Sequence, residues 1–218
     1  MPSYFQCLDK LTHLDLGECS NLKYLPQMPS NIEFLNLSKA AIKELPSSFS
    51  ELPRDLTVLE MIGAKIEILP SSIEYLFGLN TIRLLDCKRF VSLPSTICKF
   101  KSLINLDLDG CSKFKYLPEI LEPLGNLKFL SLKGTNIKEL PSSVEFLFSL
   151  VKIELTNCEK FGCLPTSICK LKCLSNLDLT GCSKFEDFPE IYEPVGRAVW
   201  SNMKKKKMFG LFFILGNG

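Results

Sequence analysis

The chain has 218 residues, 46% of them hydrophobic, which is enough for the core of one domain or two small ones. Its 26 basic and 24 acidic residues leave a formal charge of +2, which argues against a nucleic-acid binder working by bulk charge. The single histidine, His13, argues against a histidine-rich metal site or a catalytic triad. The start of the chain has no signal-peptide pattern, and no apolar run reaches the roughly 20 residues of a membrane span.

A six-residue phrase, Leu-x-x-Leu-x-Leu with conservative swaps, recurs along the chain at intervals of about 21 to 24 residues. Each phrase is followed by a small residue, and then by an apolar residue and a proline. Self-similarity at this period predicts a repeat architecture. The phrases start at Leu11, Ile32, Leu56, Leu79, Leu103, Leu127, Leu150 and Leu174.

Within each phrase the last two apolar residues alternate with exposed positions, as in a short strand that buries one face. The small residue that follows is predicted to occupy a tight inner turn, where a cysteine behaves as a small hydrophobe with a weak S–H donor. These ladder residues are Cys19, Ala40, Ala64, Cys87, Cys111, Thr135, Cys158 and Cys182.

The segments that return from one strand to the next are predicted to be short helices or irregular. Ser71 with Glu74, and Ser142 with Glu145, have the spacing of a capping box at a helix start. One unit cannot bury its own leucines, so the units must stack. The predicted fold is an α/β solenoid, a leucine-rich-repeat arc of eight repeats with a parallel sheet on its concave face.

A longer period is also present, because three consecutive units overlay the next three, so that Ser95–Lys99 matches Thr166–Lys170. At the ends the pattern is incomplete. Residues 1–10 are read as a partial repeat without a true N-terminal cap, and residues 11–196 as the repeat domain. Residues 197–218, with Lys204–Lys207 and an apolar run, form an off-pattern tail that is expected to be disordered.

Two kinds of phrase point to a family. Gly181-Cys182-Ser183-Lys184-Phe185 is one kind, and Gly134–Ser143, which reads GTNIKELPSS, is the other. Their alternation resembles the leucine-rich-repeat region of plant intracellular immune receptors that carry a TIR domain and a nucleotide-binding domain. The resemblance covers residues 2 to about 196.

The resemblance implies a cytoplasmic or nuclear receptor whose repeats recognise a pathogen effector and hold a switch inactive. The implied partners are an effector, a host protein that the receptor guards, or the receptor's own nucleotide-binding domain. The chain has no TIR domain and no phosphate-loop motif, so the family's NAD cleavage and nucleotide binding are not carried over. We therefore predict a binding module, not an enzyme, without a cofactor. Two alternatives stay open: a stand-alone adaptor such as the substrate-recognition piece of a ubiquitin ligase, and a truncated product without function.

Ten cysteines leave a metal site and disulfides to consider. Cys158, Cys163, Cys169 and Cys173 lack the paired spacing of a zinc site, and Cys158 is a ladder residue. We predict structural thiols and no metal.

The exposed face of the strands is where a partner is expected to bind. Its central row is rich in acids, either as a docking face for a basic partner or because aspartate suits the turns that follow. Large apolar residues lie in the rows on either side of it, as at interaction sites or beneath a neighbouring domain. The predicted partner-binding residues are Phe34, Val58, Glu60, Ile62, Arg83, Leu85, Asp107, Phe129, Glu154 and Asp178.

Overall fold

A computed structural model describes residues 5, 7–25, 28–43, 45, 55–189 and 213–214 of the chain. Eight strands of three residues lie side by side in chain order, all parallel, in one open sheet. This arrangement confirms the predicted stack of eight repeats. The strands are β1 (His13–Asp15), β2 (Phe34–Asn36), β3 (Val58–Glu60), β4 (Thr81–Arg83), β5 (Asn105–Asp107), β6 (Phe129–Ser131), β7 (Lys152–Glu154) and β8 (Asn176–Asp178).

The register of the sheet places equivalent residues of all repeats side by side. The middle residue of each strand pairs with the middle residue of the next, from Leu14 and Leu35 through to Ile153 and Leu177. These middle residues point into the core, while the first and third residues of each strand point outward. The outward side of β1–β8 is called the strand face below, and it is the face for which the sequence predicts partner binding.

A left-handed residue precedes every ladder residue and turns the chain from the strand into the core. Four of these eight positions are glycine, and four carry side chains. The sequence pattern treats this position as one more exposed row and does not reveal its backbone conformation. The positions are Glu18, Lys39, Gly63, Asp86, Gly110, Gly134, Asn157 and Gly181, with φ between 54° and 77°.

The returns contain short 3₁₀ helices, and the predicted capping boxes are wrong. The residue before the helix is a proline in extended conformation, such as Pro70 with ψ 154°, and no side chain caps the helix start. A single i to i+3 turn leaves no place for the reciprocal bonds of a capping box, and Glu145 contacts Lys170 of the next repeat instead. The helices in the described part of the chain are Ser71–Tyr75, Ser95–Lys99, Ser142–Phe146 and Thr166–Lys170.

The three-unit duplication is visible in the backbone. Residues 55–118 are called the first copy and residues 126–189 the second copy. An isolated parallel bridge joins Ile68 to Ser92 in the first copy, and the same bridge joins Glu139 to Cys163 in the second. The two copies therefore share one backbone plan on the strand face and on the return side.

Little of the two ends is described. Near the start, Phe5 packs against the core, as the apolar residue of a return would. From the tail, Phe213–Ile214 forms a ninth strand that pairs antiparallel with β8. The rest of 197–218, for which disorder is predicted, lies outside the described residues.

Candidate functional site: the strand face

The apolar residues predicted for partner binding lie together on the strand face across β2–β4. Phe34 is the register partner of Val58, and Ile62 and Leu85 follow β3 and β4 at equivalent positions. All four side chains are half-buried, whereas their sequence neighbours Leu35, Leu59 and Leu84 are fully buried. The set Phe34, Val58, Ile62 and Leu85 is called the apolar patch.

An ion pair crosses the middle of the apolar patch. Arg83 Nη1 donates to Glu60 Oε1 over 2.7 Å between neighbouring strands. The Glu60 side chain is only 15% exposed while Arg83 is 52% exposed, so the guanidinium covers the carboxylate. The patch therefore presents apolar surface around one neutralised pair, with the arginine outermost.

Aspartates of the central row accept hydrogen bonds within the turns that follow the strands. Asp15 Oδ1 accepts a hydrogen bond from the amide of Gly17, and Asp107 and Asp178 accept one from the residue two positions on. Asn36 makes the same contact to Ser38. An Asx turn of this kind favours Asp or Asn at the end of the strand whatever the partner is. Part of the predicted acidic character is therefore a requirement of the turn.

The acids and lysines of β5–β7 form a connected network in place of an apolar patch. Glu154 lies 2.8 Å from Lys152 Nζ and 3.0 Å from Lys133 Nζ. Ser131 Oγ donates to Asp109 Oδ1 over 2.5 Å, and Lys133 Nζ lies 3.8 Å from Asp109 Oδ2. The predicted set names only Glu154 of this network. Ser131 lies in the same central row, and Lys133, Lys152 and Asp109 could have been found from their places in the rows beside it.

Burial and pairing set the charge states of this network. Burial opposes ionisation of Glu154, but Lys152 and Lys133 outweigh it and hold the pKa of the carboxyl below its usual value. Burial raises the pKa of Asp107, and the neighbouring Asp109 carboxylate adds to the effect. The pKa of Asp178 falls, because hydrogen bonds from Thr180 and Thr156 overcome its burial. This half of the strand face is thus charged but largely paired internally.

Phe129, the remaining predicted residue, stands apart from the apolar patch. It lies in β6 between its register partners Asn105 and Lys152, and its side chain is exposed. The structure therefore does not bring the ten predicted residues into one site.

The ladder residues bind one repeat to the next. Cys87 Sγ donates to the carbonyl of Met61, and Cys111 Sγ to that of Leu84, both over 2.7 Å and both across a repeat boundary. Cys158 and Cys182 make the equivalent contacts, whereas Thr135 donates within its own repeat. Ala40 and Ala64 are buried and have no side-chain donor.

The prediction that Cys19 is buried in the inner turn is wrong, because this residue is exposed. The ladder cysteines of later repeats donate to a carbonyl of the repeat before them. Cys19 follows β1, which is the first strand in the order of the sheet. Cys182, next to β8 near the other end, is half-buried.

Two further features bear on function. All ten cysteines are free thiols, and within the described residues no three His, Cys, Asp or Glu side chains come together as a metal site would require. No helix in the described part of the chain has the length and apolar character needed to cross a membrane.

Comparison with known proteins relates these repeats to plant resistance proteins. Residues 99–193 match the family of leucine-rich repeats described as those of Disease resistance protein RPS4B-like proteins. Disease resistance-like protein DSC1 of Arabidopsis thaliana is 46% identical over 68 residues, which are 31% of this chain and 6% of that protein. TMV resistance protein N of Nicotiana glutinosa is 39% identical over 62 residues, 28% of this chain and 5% of that protein. The matched segments are thus small parts of much longer relatives.

Solved structures support the fold. A leucine-rich-repeat protein of Leptospira interrogans has a TM-score of 0.60 at 21% identity, covering 82% of this chain and 57% of its own. A chain of the Drosophila Toll–Spatzle complex has a TM-score of 0.66 at 21% identity, covering 83% of this chain and 28% of its own. The fold and the resemblance drawn from the repeated phrases are both confirmed: these are leucine-rich repeats like those of plant TIR-NB-LRR disease resistance proteins.

Proposed function

We propose that this chain, with repeats of the plant disease resistance type, is a non-catalytic module that binds a protein partner through the apolar patch of its strand face. In plant immunity the partner is a pathogen effector, a host protein under guard, or the nucleotide-binding domain of the same receptor. Binding an effector gives recognition, and binding the receptor's own domain gives autoinhibition. Its place of action is the cytoplasm or the nucleus.

The apolar patch carries this proposal. Its side chains lie on the outward side of strands whose inward side already fills the core, so folding does not call for them. The second copy shows the same point directly, since it places Lys133 and Thr156 where the first copy has Ile62 and Leu85. Apolar residues kept at outward, half-buried positions that accept polar ones are typical of an interaction surface.

The surroundings of the patch suit a protein partner. Arg83 stands at its centre, and arginine beside apolar anchors is common among the residues that contribute most to protein binding. The paired network on β5–β7 borders the patch with fixed charges, which contribute more to partner choice than to affinity.

The test replaces the four residues of the apolar patch with polar residues. A variant with Phe34→Ser, Val58→Thr, Ile62→Lys and Leu85→Thr is expressed in leaf tissue within the receptor that contains these repeats. We expect loss of the response to the eliciting pathogen, or a response without it, at an unchanged melting temperature of the purified chain. The matched control changes exposed Lys128, outside the patch, to Thr, as in the first copy at Thr57, and should behave as wild type.

An unchanged response in both the presence and the absence of pathogen would contradict the proposal. A large drop in melting temperature would place the four residues in the core, and partner binding would then rest on another surface.

A further inference from the structure

The return side of the first copy carries a second unusual surface, separate from the strand face. Between each ladder residue and the next apolar residue followed by proline, the first copy exposes five bases against one acid, whereas the second copy exposes three bases against four acids. In the first copy Ile68, Val91 and Tyr116 lie among these bases, and each is about half exposed (52%, 46% and 50%). Ile68, Arg89, Val91, Lys113, Lys115 and Tyr116 are called the basic flank.

Backbone hydrogen bonds tie the two parts of the basic flank to neighbouring repeats. The amide of Val91 donates to the carbonyl of Glu67 over 2.8 Å, and the amide of Lys138 donates to that of Lys115 over 3.2 Å. With the bridge from Ile68 to Ser92, these contacts align Ile68 with the segment of Val91 and join Lys115 to the repeat that follows it. The backbone of each part of the flank is therefore held by a neighbouring repeat.

The cations of the flank are free to meet a partner. Within the described residues Lys113 and Lys115 form no ion pair, and Arg89 reaches Glu67 only at 3.9 Å. Lys138 Nζ of the next repeat lies 5.4 Å from the centre of the Tyr116 ring and adds another positive charge beside it. The flank thus combines unneutralised positive charge with apolar area.

The second copy shows that the fold does not need this composition. At the positions of Ile68, Val91, Lys115 and Tyr116 it has Glu139, Gly162, Glu186 and Asp187. The equivalent bridge, from Glu139 to Cys163, forms all the same. Polar or charged residues are the ordinary content of such an exposed site, so the apolar and basic content of the first copy calls for a reason outside folding.

We propose that the basic flank is a docking surface for an acidic segment of a partner protein that also carries apolar side chains. The bases select the acidic residues, and Ile68, Val91 and Tyr116 receive the apolar ones. A nucleic-acid backbone would need only the bases, and would leave the three apolar side chains without a role. This proposal does not rest on the strand face, which lies on the other side of the ladder residues.

The probe is a fluorescent peptide of six Glu-Leu dipeptides joined in tandem, titrated against the full chain. The flank variant, Ile68→Glu with Lys115→Glu and Tyr116→Asp, carries the residues of the second copy and should melt as wild type does. We expect it to bind the peptide at least about tenfold more weakly. The matched control, Lys128→Glu with Lys172→Glu, makes the same net change of charge at exposed residues outside both the flank and the apolar patch, and should bind as tightly as wild type.

Competitors separate the two kinds of contact. An all-Glu peptide of equal charge and a single-stranded oligonucleotide should each bind wild type at least about tenfold more weakly than the Glu/Leu peptide. Equal binding of the oligonucleotide would replace the proposal with a polyanion site. Equal binding by the flank variant, or no binding by wild type, would overturn it. Should the variant fold poorly, amide chemical shifts of the wild-type chain decide: changes that cluster at residues 68, 91 and 113–116 support the proposal, and changes elsewhere overturn it.

Discussion

The first and second copies share many of their buried residues and differ at many of their exposed ones. Phe90 and Phe161, Cys87 and Cys158, and the leucines of the strands recur at equivalent places in the two copies. On the strand face Arg83 is replaced by Glu154, and the apolar Ile62 and Leu85 give way to Lys133 and Thr156. One backbone plan therefore supports an apolar patch in one copy and a paired ionic network in the other. Stacking therefore constrains the inward positions more tightly than the outward ones, where turn residues such as Asp107 and Asp178 are kept while others vary.

The largest expected loss of stability concerns one core position that both copies fill with phenylalanine. Phe114 is fully buried and stacks on Phe90 with a centroid distance of 6.0 Å, whereas its counterpart Phe185 is half-buried beside the end of the parallel strands. We expect Phe114→Ala to cost about 3–5 kcal/mol of unfolding free energy, and Phe185→Ala clearly less. Urea unfolding of both variants measures the difference. Equal losses would mean that Phe185, near the end of the parallel strands, is packed as well as Phe114 in their middle.

The ladder offers the next test. Cys111 is fully buried and bonded to Leu84, so Cys111→Leu should overpack the inner turn at a cost of about 1–3 kcal/mol. Cys182, its half-buried counterpart, should tolerate leucine better, and Cys111→Ala should be milder than Cys111→Leu because Ala40 and Ala64 occupy the same place. Thermal melts decide, and a wild-type melt for Cys111→Leu would remove Cys111 from the ladder.

Alkaline pH should weaken the stack through the same cysteines. Burial raises the pKa of the Cys158 thiol, and that of Cys182 to about 12, from an ordinary 9.0. The unfolded chain therefore releases these protons first, so stability is full below the ordinary thiol value and falls as the pH rises above it. We expect the melting temperature to fall as the pH rises from about 9 towards about 12. Cys158→Ala should flatten this fall, and an identical slope in that variant would assign the pH dependence to other groups.

The smallest expected effect concerns the exchanged charges. Arg83→Glu introduces the residue of the second copy next to Glu60, and should cost no more than about 1 kcal/mol because the arginine is exposed. Adding Glu60→Ser, which matches Ser131, should restore most of that loss by removing the like charge. Denaturation of the single and double variants measures the coupling, and additive losses would show that the two side chains do not interact.

The repeated features of the fold could be predicted because the pattern of buried residues recurs in each sequence repeat. The strand phase at Leu35, Leu59 and Leu84 follows from alternation alone, and the small residues at Cys87 and Cys111 mark the inner turn. The left-handed residue before each of the eight ladder residues was not predicted. Glu18 and Asp86 do not indicate a positive φ by their residue type, whereas the glycines Gly63 and Gly110 do.

The site was less predictable than the fold. The turn bonds of Asp107 and Asp178 compete with any binding role, and residue type alone does not say which role applies. The pairing of Lys133 with both Glu154 and Asp109 depends on where a long side chain reaches across strands. Such contacts depend on side-chain conformation, whereas the repeat pattern predicts only the backbone position of each residue.

The contacts between repeats also bear on how such a chain grows. Four ladder thiols donate across a repeat boundary. Each donates to the carbonyl at the same position of the preceding repeat. The junction between the two copies, between β5 and β6, has no such thiol bond, because Thr135 donates within its own repeat, but its strands are paired in the same parallel register as the others, so that a block of whole repeats can be copied in tandem. After such a block is added, each repeat still fits the repeats on either side of it. A longer array therefore gains outward surface while the core keeps the same pattern.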